Sequence, residues 1–194
     1  MKKILILSIT AILLVASKSK AQTAEFGLKG GLNVTGLHNN FTNSLDPRTS
    51  VYVGGLLHIH LSKNFAIQPE ISYSCQGATQ NTDGGEIAWR LNYLVLPVLM
   101  QYMFDNGFRL ETGPQLGLLA SAKEKSGGTI TDIKSNYTTG DFSWSIGVGY
   151  ITQVGLGIDA RYNLGINNIY NIRSTDKIQN RAFQVGLFYQ FKHL

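Results

Sequence analysis

Phe142-Ser143-Trp144-Ser145-Ile146-Gly147-Val148-Gly149-Tyr150 alternates, residue by residue, between large apolar and small or polar side chains. Leu156-Gly157-Ile158-Asp159-Ala160-Arg161-Tyr162-Asn163-Leu164 follows with the same alternation. A period of two is the side-chain repeat of a β-strand, and the short link at Thr152-Gln153-Val154 makes the pair a hairpin. The pattern recurs along the chain. Phe26, Leu28, Leu32 and Val34 oppose Gly27, Lys29, Gly31, Asn33 and Thr35. Val51, Val53, Leu57, Ile59 and Leu61 oppose Tyr52, Gly54, His58 and His60. Phe65, Ile67, Ile71 and Tyr73 oppose Gln68, Glu70, Ser72 and Ser74, and Phe108, Leu110, Leu116 and Leu118 oppose Arg109, Glu111, Gly113 and Gln115. Phe183, Val185, Leu187, Tyr189 and Phe191 oppose Gln184, Gly186 and Gln190. A further segment within Arg90 to Phe104 is too uniformly apolar to give a face. The pattern predicts eight strands.

The connections alternate too. Short turns fall at Ser62-Lys63-Asn64, Asp105-Asn106-Gly107 and Thr152-Gln153-Val154. Long polar connections are expected at His38–Ser50, Gly77–Glu86, Lys123–Asp141 and Asn167–Asn180. Short turns at one end and long loops at the other mark an all-β, eight-stranded antiparallel up-and-down transmembrane β-barrel. Lipid demands the same closure, because an open sheet edge in hydrocarbon would strand its backbone polar groups. Aromatic residues gather at both strand ends, as membrane interfaces select. A soluble barrel would turn its apolar face inward and show water a surface rich in Lys and Glu. Here the polar faces are rich in glycine and serine and carry balanced charge: Lys29, Arg109 and Arg161 against Glu70, Glu111 and Asp159. These six are expected to form a polar network that occludes the lumen.

Lys2 and Lys3, an apolar stretch from Ile4 to Val15, and small residues at Ser19 and Ala21 read as a cleavable signal peptide over residues 1–21, with the barrel domain over 22–194. Twelve residues are too few to cross a bilayer as a helix. The formal charge of +5 on 194 residues is misleading, because four lysines lie in that leader. The remaining 13 Lys and Arg face 12 Asp and Glu, which disfavours nucleic-acid binding. Cys75 is the one cysteine, so no internal disulfide forms.

The chain resembles the PorT-like family, the outer membrane protein beta-barrel domain of Bacteroidetes-type bacteria. The resemblance is carried by Gly30-Gly31-Leu32-Asn33, Gln68-Pro69-Glu70-Ile71-Ser72-Tyr73-Ser74, Leu91-Asn92-Tyr93-Leu94-Val95-Leu96-Pro97, Gly113-Pro114-Gln115-Leu116-Gly117 and Gly157-Ile158-Asp159-Ala160-Arg161-Tyr162-Asn163-Leu164-Gly165. It implies outer-membrane residence and, for some relatives, a link to protein secretion. Similar chains often carry glutamate where Val95 stands, so it also implies a less charged lumen here.

Gly155-Leu156-Gly157-Ile158-Asp159-Ala160 matches a dinucleotide fingerprint by letter but lies within an alternating strand, not before a helix. His58 and His60 share a face, yet spacing supplies no third metal ligand. Ser72, His58 and Glu70 are the candidates for a lipid-modifying triad, but their face points to the lumen. The expectation is a non-catalytic structural, binding or secretion-accessory barrel with no metal and no cofactor. Its partners would be outer-membrane lipid, the insertion machinery and proteins of a secretion system, and both termini would face the periplasm. A lipid-modifying enzyme and a small solute pore are the alternatives.

Overall fold

The computed structural model describes residues 24–39, 45–82, 85–170 and 178–191. The expected signal peptide and Lys192–Leu194 lie outside them. Among the described residues nine antiparallel strands form: β1 Ala24–Asn39, β2 Asp46–His60, β3 Phe65–Thr82, β4 Gly85–Met103, β5 Phe108–Ser126, β6 Thr129–Asp132, β7 Gly140–Ile151, β8 Leu156–Gly165 and β9 Ile178–Phe191. Eight of them close a ring in the order β1-β2-β3-β4-β5-β7-β8-β9, with β9 returning to β1. The short β6 pairs only with the far end of β5 and stands outside the ring.

The alternation in sequence becomes an inside-out burial pattern. Leu28, Leu32, Val53, Ile71, Ile146, Ile158 and Leu187 are exposed, while Lys29, Asn33, Glu70, Ser145, Asp159 and Arg161 are buried. An apolar exterior around a polar interior is stable only against hydrocarbon. The seam that closes the ring is tight. Gly31 pairs with Gly186, and a Cβ at Gly31 would lie 2.2 Å from the Val185 carbonyl oxygen. The two backbones approach as they do because no side chain stands between them.

The three short turns form where expected, each closed by a backbone hydrogen bond such as Phe104 N to Phe108 O at 2.9 Å. The other end differs from the sequence reading. Gly77–Glu86 is not a long loop: β3 continues to Thr82 and β4 begins at Gly85, paired throughout. Lys123–Asp141 likewise holds the β5–β6 hairpin and a 3-10 turn at Lys134–Asn136. A tilted strand needs roughly ten residues to cross the hydrocarbon, whereas β3, β4 and β5 have 18, 19 and 19. The surplus stands in water, where both faces are polar and the period of two fades, so a strand reads as a loop. Within His38–Ser50 and Asn167–Asn180, strand reaches in as far as Asn39, Asp46 and Ile178.

Candidate functional site

The lumen is filled in tiers. At mid-height, inward positions on four strands, β1, β3, β5 and β8, deliver an ion-pair cluster. Arg161 on β8 donates Nη1 and Nη2 to Glu70 Oε2 and Oε1, both at 2.7 Å. β8 and β3 lie four places apart in a ring of eight, so this bidentate pair spans the bore. Arg161 Nε donates to Glu111 Oε1, and Nη2 lies 3.2 Å from Asp159 Oδ2. Lys29 Nζ contacts Asp159 Oδ2 at 2.9 Å and Glu70 Oε2 at 3.2 Å. Five charged side chains thus share one enclosed cluster, where water screens little and bidentate geometry matters most.

Three neutral groups that the sequence reading left out complete it. Tyr52 Oη donates to Asp159 Oδ1, Gln68 Nε2 to Glu70 Oε1 at 2.7 Å, and Gln101 Nε2 to Glu111 Oε2 at 2.9 Å. Gln101 sits on β4, which gave no face in sequence because its inward row is mostly apolar: Leu91, Tyr93, Val95 and Leu99 are buried.

Arg109 does not join the cluster. It lies nearer the short turns, donates Nη2 to Gln190 Oε1 at 2.9 Å and stacks 5.7 Å over the Phe188 ring. It makes no ion pair among the described residues, and its Nη1 has no partner. Its place follows from the chain, since Arg109 is the second residue of β5, directly after the Asp105-Asn106-Gly107 turn.

Towards the opposite end an amide tier follows. Gln184 Nε2 donates to Asn33 Oδ1 at 2.8 Å, Asn33 Nδ2 to Ser74 Oγ at 2.9 Å, and Asn180 Nδ2 to Gln76 Oε1. An apolar plug closes that end, built from Leu37, Leu91, Tyr93, Val95, Leu119 and Ala122 with Tyr137 and Ile169 from the loops. Val95, where relatives often carry glutamate, belongs to this plug. The Tyr137 and Tyr170 rings meet edge to face at 5.8 Å. Burial, with Tyr170 and Glu124 nearby, pushes the Tyr137 phenol up to about 12.

The enzyme and metal candidates are placed as follows. Ser72 pairs opposite Gly54, four residues along β2 from His58, or roughly 13 Å along the strand. His58 Nδ1 instead meets Gln68 Oε1 at 3.1 Å, and Glu70 is committed to Arg161 and Lys29. The His58 and His60 rings pack edge to face at 4.5 Å, and no cluster of three metal-ligating side chains occurs among the described residues. Gly155 of the dinucleotide look-alike lies in the β7–β8 turn, with no helix after it.

A closed ring, a lipid-facing apolar exterior and a polar interior meet a direct match in sequence: the model of the outer membrane protein beta-barrel domain covers residues 17–171. The chain belongs to that family. It is a small integral barrel of the bacterial outer membrane. Neisserial surface protein A superposes with a TM-score of 0.62 at 12% identity, covering 87% of this chain and 99% of that one. Ail, the attachment invasion locus protein of Yersinia pestis, gives 0.55 at 13% identity, over 87% and 99%. At such identities the likeness is one of fold. A sequence search of curated proteins finds no match.

Proposed function

We propose that this barrel is a non-conducting, non-catalytic platform whose working surface is the strand flange beyond its plugged end. One observation carries the reading: the bore is spanned by side chains at mid-height and closed again by the apolar plug. A solute path would have to dismantle both. The ends of β3, β4 and β5, with β6, stand beyond the hydrocarbon and present exposed residues such as Arg90, Lys125 and Ile130. Support also comes from the solved relatives, one named a surface protein and one an attachment and invasion protein.

On this reading residues 1–21 are a removed signal peptide and both termini face the periplasm, because an even number of strands returns the chain to its starting side. The flange then faces outward. The finer PorT-like assignment would make its partners proteins of a secretion system, with insertion into the membrane handled by the assembly machinery. The test places a photo-crosslinking residue at Ile130, with a second at lumen-facing Val95 as control. In intact cells the Ile130 variant should give a discrete protein adduct and the Val95 variant only internal cross-links. Adducts from Val95 alone, or modified lipid A or phospholipid after incubation with purified protein, would overturn the platform reading.

A further inference from the structure

We infer that the lumen contains a built site for one ordered water molecule, at the level where the amide tier meets the apolar plug. A cavity of about 10 Å³ lies there, walled by Gln76, Gln115, Asp141, Ser143, Asn163 and Asn180. That volume corresponds to roughly one water molecule. Three of its lining residues each leave one buried polar atom without a partner: Asp141 Oδ1, Asn163 Nδ2 and Asn180 Oδ1. All three side chains are more than nine-tenths buried, at 6%, 3% and 5% exposure.

The other polar atoms of these residues are already committed. Asn163 Oδ1 accepts from Ser145 Oγ at 2.6 Å. Asn180 Nδ2 donates to Gln76 Oε1 and, at 3.1 Å, to Asp141 Oδ2. What the cavity offers is therefore two acceptors and one donor. A water molecule is the complement, giving its two protons to Asp141 and Asn180 and accepting from Asn163.

The energetics favour occupancy. Asp141 makes no ion pair among the described residues, and a buried carboxylate short of donors is costly. Buried waters typically make about three hydrogen bonds to groups left over in this way. A small cation would suit an all-oxygen cavity, which needs the Asn163 amide turned over. In the structure the amide keeps its NH2 group inward, with Oδ1 on Ser145 Oγ at 2.6 Å, and a thallium soak tests the turned form. The water would tie β7, β8 and β9 together beneath the plug, stiffening the closed end.

The experiment is a high-resolution crystal structure of the full barrel, with a second crystal soaked in thallium(I). The expected result is one peak about 2.7–3.2 Å from all three atoms, with no anomalous thallium signal. An empty cavity would overturn the site, as would a thallium peak or contacts near 2.4 Å. Asn163→Leu should abolish the peak and lower the melting midpoint by several degrees, whereas Asn163→Ser should retain a water within the cavity. Should Asn163→Leu fail to fold, the parent and Asn163→Ser crystals decide the question alone.

Discussion

Arg161→Ala is the sharpest perturbation of the lumen. The substitution removes the bidentate pair with Glu70, the contacts with Glu111 and the approach to Asp159. The losses are unequal. Glu70 keeps Lys29 and Gln68, and Asp159 keeps Lys29 and Tyr52. Glu111 is left with Gln101 alone and no cation in contact. Breaking a buried ion pair by removing one partner costs about 3–5 kcal/mol, mainly through the stranded charge. With two of three carboxylates still paired, we expect the lower end, about 3 kcal/mol. Urea titration in detergent, read by heat-modifiable mobility and tryptophan fluorescence, measures the difference. Adding Glu111→Gln should recover part of the loss, because it removes the stranded charge without changing the shape. A variant as stable as the parent, or a double variant weaker than Arg161→Ala, would refute the reasoning.

At the seam, Gly31→Ala sets a methyl against the Val185 carbonyl and the Gly186 Cα, both backbone. It should cost about 1–3 kcal/mol, and an unchanged urea midpoint would show that the strands are not so close. Phe191 closes the outward aromatic-apolar row of β9 and packs edge to face on Tyr189 at 5.1 Å. Phe191→Ala should lower the amount of folded barrel in the membrane, seen by immunoblot of unheated samples, and equal abundance would contradict a role in assembly. The raised Tyr137 phenol gives the plug a pH limit. The folded chain holds this proton up to about 12 and the unfolded chain only to an ordinary value near 10, so stability should fall as pH rises through that window. Melting of Tyr137→Phe should show a flatter profile from pH 10 to 12, and parallel profiles would count against a buried phenol.

Sequence conveyed the strands and their faces because period two is imposed by geometry and reinforced by lipid on one side. Phe142 to Tyr150 and Leu156 to Leu164 could scarcely be read otherwise. It also placed Lys29, Glu70, Glu111, Asp159 and Arg161 on inward faces. A cross-linked core with Arg161 and Glu70 in it was legible from the balance of inward charges. Which atoms pair was not, since that depends on strand tilt and stagger, and Arg109, the inward charge nearest the short turns, does not reach the cluster. β4 defied the pattern because Leu91, Tyr93, Val95 and Leu99 face inward, leaving both of its faces apolar. Large inward residues such as Leu56 and Phe188 are hidden for the same reason, whereas the alternation in sequence places Tyr52 on the inward face with Gly54 and His58. The plug unites Leu37, Tyr137 and Ile169, which are far apart in the chain. The extended hairpins beyond the membrane lost their signal because water meets both faces there.

Closure of the lumen is the central claim, and single-channel recording in planar bilayers tests it most directly. The parent protein should give no steady conductance steps at moderate voltage. Arg161→Ala should stay equally silent, because the apolar plug of Leu91, Tyr93 and Tyr137 remains in place above the vacated ion-pair tier. Reproducible steps of uniform size from the parent protein would contradict the closed bore and establish a pore instead.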